Sequence, residues 1–189
     1  MAKISWTLVL ICLSSLVHSG NFQTPDLIPI GGVNGKLYFM AMNELVSPEN
    51  YIFWTELDLN LPHILPLQTW GQAKTYCTSG GMKLPEILTP TEQAYLKANV
   101  VNVGNVDWTH FWIGATDAVR STDNLFWTST NATVSDSDHA AKWQFSGPNT
   151  CVAFRKAHIA HPAEDGAWVT LSCAERNRFL CEYLACPPK

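Results

Sequence analysis

The chain is short of charge, and what charge it carries leans acidic: 15% of its 189 residues are charged, with 12 Lys and Arg against 16 Asp and Glu, for a formal net charge of −4. A protein that grips phosphates must displace their counterions with a cationic surface, so nucleic acid is excluded as a partner class. No run approaches the ~20 apolar residues that a membrane-spanning helix requires. There is no Gly-x-Ser-x-Gly elbow, no His-Glu-x-x-His pair and no phosphate-binding glycine loop. The carboxylates are scattered singly, without the pairing that glycoside hydrolysis needs. These absences argue against an enzyme. Internal repeats and low-complexity tracts are missing too, and 47% hydrophobic residues is too apolar for disorder and sufficient for one packed core at this length.

What is present begins with a secretory pattern. Lys3 precedes an apolar stretch from Ile4 to Val17, and Val17-His18-Ser19 places small residues at the −3 and −1 sites of a cleavage signal. Residues 1–19 therefore read as a signal peptide, too short to span a bilayer, and the mature chain is expected to be secreted and extracellular. Cys12 leaves with the signal, and five cysteines stay: Cys77, Cys151, Cys173, Cys181 and Cys186. In an oxidising compartment the simplest partition is two intrachain bridges and one spare. The spacing of Cys181 and Cys186 is not Cys-x-x-Cys, and no second such pair exists, so a structural zinc site is not expected.

The remaining chain divides into an N-terminal segment at 20–35, a domain at 36–184 and a tail at 185–189. Asn21 to Ile30 is polar and interrupted by proline, Gly31-Gly32 leads toward a turn, and Gly35 to Met40 reads as a first strand. Tyr51 to Trp54 is a second apolar run, and the proline-broken stretch from Leu57 to Leu67 is a long connection. Trp70, Ala73, Lys74 and Cys77 follow helical spacing, with Ser79-Gly80-Gly81 as the stop. Thr89-Pro90-Thr91-Glu92 is a capping box with proline at the first helical position, opening a helix to about Ala98. Short strands follow at Phe111–Gly114, Leu125–Trp127, Cys151–Phe154, Gly166–Val169 and Phe179–Tyr183. Two helices and then an irregular antiparallel half indicate an α+β fold, with both helices expected on one side of the sheet.

These pieces together resemble the C-type lectin-like domain family, from about Leu37 to Tyr183. The resemblance rests on Trp70, Ala73, Cys77, Gly81 and Leu84; on Glu92 and Leu96; on Phe111-Trp112-Ile113-Gly114, Phe126-Trp127, Trp143 and Cys151; and on Trp168, Cys173 and the closing Phe179-Leu180-Cys181-Glu182. It implies a disulfide-stapled fold of two helices flanking antiparallel sheets, with a long irregular loop half that carries ligand binding. It also implies the pairing Cys77–Cys181 and Cys151–Cys173. Cys186, left over beyond the last strand, is then available for an interchain bond in a disulfide-linked homodimer.

The departures from the family pattern bear on function. Sugar-binding members hold calcium with a Glu-Pro-Asn or Gln-Pro-Asp triplet, further carboxylates, and an Asn-Asp pair directly after a tryptophan. Here the triplet is Gly147-Pro148-Asn149, Val169-Thr170 follows Trp168, and one residue separates Asn149 from Cys151. Calcium takes six to eight oxygens, preferably charged ones, so no cofactor is expected and the usual calcium site reads as lost. A displaced alignment would instead gather Asp136, Asp138, Glu164 and Asp165 around a relocated cation. His158 and His161, three apart before Glu164 and Asp165, are expected to lie in a solvated polar loop rather than to bind a metal.

Ligand contacts are therefore expected around Asn149, Glu164, Asp165 and Trp168, with the other tryptophans mainly in the core. Asn131-Ala132-Thr133 is an N-glycosylation acceptor in a polar loop, preferred to Asn149-Thr150-Cys151. The expected function is a non-catalytic recognition module that binds glycan or extracellular protein, in defence (innate immunity) or reproduction as secreted members of the family do. The alternatives are a matrix or cuticle component crosslinked through Cys186, and an inhibitor of another protein.

Overall fold

A computed structural model describes residues 27–41, 67–102, 106–117, 124–134 and 150–184. Residues 1–19, expected to be a signal peptide, the run at 51–54, the connection from 57 to 66, Asp136, Asp138, Trp143, Gly147, Pro148, Asn149 and Cys186 lie outside the described residues. The described elements are β1 (Leu27–Val33), β2 (Lys36–Ala41), α1 (Trp70–Ser79), α2 (Pro90–Asn99), β3 (Trp108–Thr116), β4 (Phe126–Trp127), β5 (Thr150–Ala157), a 3-10 turn (Pro162–Glu164), β6 (Trp168–Ser172) and β7 (Arg178–Leu184).

Both helices start with reciprocal caps. In α2 the Thr89 hydroxyl accepts from the Glu92 amide at 3.2 Å, and the Glu92 carboxylate accepts from the Thr89 amide at 3.2 Å, as the capping box predicts. Helix α1 carries a second box that the sequence reading did not identify, in which Thr69 and Gln72 exchange the same two bonds. Trp70, Ala73 and Cys77 are its buried side chains. Lys74 instead lies half-buried with its ammonium 5.4 Å from the Trp70 ring centre.

The strands run in the order β1-β2-β7-β3-β5-β6, with β4 paired to β3. Two expectations fail here. First, the sheet is mixed, because β3 and β7 are parallel, with Phe111 opposite Arg178 and Trp112 opposite Phe179. Second, the helices cover opposite faces. Alternate residues of the same strands fall into two core clusters: Phe111, Ile113, Val152, Phe154 and Leu180 with Leu96 of α2, and Trp112, Cys151, Ala153, Phe179 and Cys181 with Trp70, Ala73 and Cys77 of α1. Continuous apolar runs such as Phe111-Trp112-Ile113 are the signature of strands buried on both sides, and they need a cover on each.

Strand β1 lies in the stretch that reads as irregular. It passes through Gly31-Gly32, pairs antiparallel with β2, and shifts register between Pro29 and Gly31. Gly31 has φ +101, and a Cβ there would lie 2.1 Å from the Tyr95 hydroxyl, which donates to the Ile30 carbonyl at 2.8 Å. Only glycine lets α2 approach this edge strand so closely. Gly114 plays the same part on β3, where a Cβ would stand 2.9 Å from the Leu84 carbonyl oxygen.

The cysteine pairing implied by the resemblance is the one found. Cys77–Cys181 ties α1 to β7 across 104 residues, and Cys151–Cys173 ties β5 to the turn after β6 across 22. All of the four except Cys173 are fully buried.

Candidate functional site

The loop half leaves the sheet between the end of β3 and the start of β5, and this neck is clamped. The Thr116 hydroxyl donates to the Thr150 carbonyl at 2.8 Å, the Asp117 amide donates to the same carbonyl at 3.1 Å, and the Asp117 carboxylate accepts from the Thr150 amide at 2.6 Å. Cys151–Cys173 sits directly beneath, with the Thr116 hydroxyl 3.3 Å from the Cys151 sulfur. A buried carboxylate holding a backbone amide fixes the exit geometry of both loop ends. Beyond the neck, β4 returns against β3, and a tight turn from Trp127 to Val134 leaves Asn131 exposed at φ +58.

The predicted ligand residues do not converge. Trp168 has no exposed surface: its indole donates to the Gln93 side chain at 2.9 Å and meets Trp127 edge-on with ring centroids 5.4 Å apart. It packs the α2 face of the core and cannot present a stacking platform. Glu164 pairs with the buried guanidinium of Arg155, and Asp165 pairs with Lys156 at 3.2 Å while accepting from the Ala157 amide at 3.1 Å. Both acids fasten the β5–β6 hairpin. That turn sits at the end of β5 away from the neck. Asn149 lies outside the described residues.

Nor do the histidines gather a metal-binding set with those acids. His158 accepts from the Ala160 amide, while His161 stacks against Trp108 and lies 3.6 Å from Asp107. Among the described residues no three His, Cys, Asp or Glu side chains converge as metal ligands. On β6, Val169 is buried in the α1-side core and Thr170 is 2% exposed, so the two positions after Trp168 offer one hydroxyl and no carboxylate.

A charged cluster that the sequence did not reveal lies between α2, β2, β7 and the segment before α2. Glu86, Glu92 and Glu182 are all buried. The Lys36 ammonium is 3.1 Å from Glu92 and 3.6 Å from Glu182, and it donates to the Glu86 carbonyl at 2.6 Å. Lys83 reaches Glu182 at 3.1 Å and Glu86 at 3.5 Å, and it donates to the Ser129 hydroxyl at 2.5 Å. Burial pushes the Glu182 carboxyl above its ordinary value even against the two lysines. Burial acts on Glu86 in the same sense, but bonds from Ser129 and the Lys83 charge outweigh it and hold Glu86 below the usual range. Single carboxylates inside the apolar runs Leu84-Pro85-Glu86-Ile87-Leu88 and Phe179-Leu180-Cys181-Glu182 were the available signal.

The helix pair, the mixed sheet, the two staples and the clamped neck form one recognisable domain, and the sequence profile described as the Lectin C-type domain matches residues 67–183. The chain belongs to the C-type lectin domain family. Among solved structures it is similar to the carbohydrate-recognition domain of mouse scavenger receptor C-type lectin, at 19% identity and TM-score 0.51, covering 84% of this chain and 95% of that one. The human counterpart gives 19% identity and TM-score 0.52, over 80% and 93%. At this identity the likeness speaks for the fold. Among curated proteins none matches significantly. C-type lectin domains are generally non-catalytic recognition modules, and in this one no described helix is long and apolar enough to cross a membrane.

Proposed function

We propose that this protein is a secreted, non-catalytic C-type lectin that binds a glycan or an extracellular protein through its loop half without calcium at the family's usual sugar site. The reading is supported by β6, where Val169 lies in the core and Thr170 is buried, at the two positions after Trp168 that the family resemblance aligns with the Asn-Asp pair. Calcium requires several charged oxygens to offset its dehydration. Glu164 and Asp165, two of the four acids that a relocated cation would need, are engaged by Arg155 and Lys156. The clamped neck supports recognition by the loop half, because a rigid base lets irregular backbone present a fixed surface. Cys186 is proposed to join two copies outside the domain.

A glycan array probed with and without chelator tests this, with calcium calorimetry beside it. Binding and melting temperature are expected to be unchanged by chelation. One clear calcium site of about micromolar affinity, abolished by Glu164→Ala, would overturn the reading.

The exposed tip at Asn131 is the proposed glycosylation site. Peptide N-glycosidase treatment of protein from a eukaryotic secretory host is expected to shift its mobility by one glycan, and Asn131→Gln to abolish the shift. Retention of that shift in Asn131→Gln would move the glycan elsewhere.

A further inference from the structure

At the end of β3 remote from the neck stands an aromatic side chain that the core does not use. Trp108 opens β3 with its backbone opposite Ala157 of β5. It is 38% exposed, whereas Trp70, Trp112, Trp127 and Trp168 are each at most 6% exposed. From Trp108 to Thr116 at the neck the strand covers about 26 Å, at ~3.3 Å per residue. One monosaccharide cannot reach both.

The groups around the ring hold it rigidly. The Arg155 guanidinium lies 5.1 Å from the indole centre and is itself buried. Glu164 pairs with it on one side, and its Nε donates to the His110 Nε2 at 3.3 Å on another. Burial first, and the Arg155 charge second, hold His110 down to a pKa of about 4, so it is a neutral acceptor at physiological pH. His161 meets the indole edge-on at 5.4 Å between centroids, with its Nε2 3.6 Å from the Asp107 carboxylate. The His158 amide donates to the Asp107 carbonyl at 2.7 Å, which ties the turn bearing His161 to the segment bearing Trp108. The Asp107 and His161 side chains remain 70% and 41% exposed.

We propose that Trp108, with Asp107 and His161 at its edge, forms a second saccharide subsite that takes a neutral pyranose without calcium. A pyranose has a face of C–H groups and a rim of hydroxyls. An indole offers a broad apolar counterpart to the first, and a carboxylate beside an imidazole offers acceptors and a donor to the second. Because the ring sits on a strand and is backed by a fixed guanidinium, little side-chain freedom is lost when a sugar lands on it. Val106 and Ile159 are also exposed nearby, at 47% and 89%, and a protein partner would use them. The side chains that contact the indole are planar and polar, which favours the sugar.

The test uses the secreted full-length protein in chelator. Neutral oligosaccharides ending in glucose, galactose, mannose or N-acetylglucosamine are arrayed, and the best-bound is titrated while the Trp108 indole resonance is followed. Trp108→Ala, titrated with the same sugar by calorimetry because it lacks the indole, is expected to bind about tenfold more weakly and Trp108→Phe less so. Asp107→Asn should weaken binding as well, while Ile159→Ser and Asn149→Ala leave the indole shift intact. Trp108→Phe also serves as the readout if the alanine variant folds poorly. The proposal is overturned if no arrayed sugar shifts the indole resonance, or if both Trp108 variants bind as tightly as the parent. An indole insensitive to sugar, together with partner binding lost in Ile159→Ser, would assign the patch to protein docking instead.

Discussion

Cys77→Ala combined with Cys181→Ala is expected to lower the stability of this lectin domain by about 2–5 kcal/mol, and more than the matching pair of changes at Cys151 and Cys173. The Cys77–Cys181 bond joins α1, the helix that covers this face among the described residues, to β7, which lies between β2 and β3 in the sheet. Releasing it frees a denatured-chain loop of 104 residues, against 22 for the other bridge. In the chain-entropy account these loops correspond to about 4.8 and about 3.4 kcal/mol, a difference of about 1.4 kcal/mol. Both sulfurs of the long bridge are fully buried, so the two alanines also leave a small void between α1 and β7. Urea unfolding of the two double variants beside the parent measures this. A larger loss at Cys151 and Cys173 would show that clamping the neck matters more to stability than closing the long loop. In a domain whose whole stability is typically about 5–15 kcal/mol, either loss is a large share of the total.

The parts of this fold that could be read from sequence are those whose physics is local. The α2 cap is legible because Thr89, Pro90 and Glu92 act within one turn, and the interior face of α1 follows from the spacing of Trp70, Ala73 and Cys77. Strand β1 is not legible, because Pro29 and the Gly31-Gly32 pair suppress strand propensity and the order comes from β2 beside it. The parallel contact of β3 with β7 leaves no local trace. Trp168 was misread for a related reason, since a tryptophan in an apolar strand looks the same whether its ring meets Gln93 and Trp127 or a sugar. Trp108, in a similar run, proved to be the exposed one. The family pattern supplied the cysteine pairing, which spacing alone left open.

The buried charges show the same limit, because Lys36, Glu92 and Glu182 are far apart in sequence and meet only in the fold. Lys36→Met is expected to destabilise the domain by about 3–5 kcal/mol at neutral pH. The methionine fills much of the space but removes the cation that lies between Glu92 and Glu182, and Lys83, on the other side of Glu182, is left as the only nearby cation among the described residues. Glu182 already has its carboxyl raised by burial, and loss of Lys36 raises it further. A group whose pKa is higher folded than unfolded favours the folded state at low pH and loses that advantage as pH rises through its folded value. The deficit of Lys36→Met should therefore be largest near neutral pH and shrink as Glu182 takes up a proton on acidification. Glu86, held below the ordinary carboxylate range, stays ionised over the same interval and does not mask the effect. Denaturant midpoints for the variant and the parent at about pH 7 and about pH 5 read this directly. Adding Glu182→Gln to Lys36→Met should recover part of the loss, because one of the two buried carboxylates that faced Lys36 is then neutral, while Glu92 keeps its bonds from the Leu88 and Thr89 amides. A deficit that is the same at both pH values, with no recovery in the double variant, would mean that Lys36 contributes through its aliphatic stem and its bond to the Glu86 carbonyl rather than through its charge.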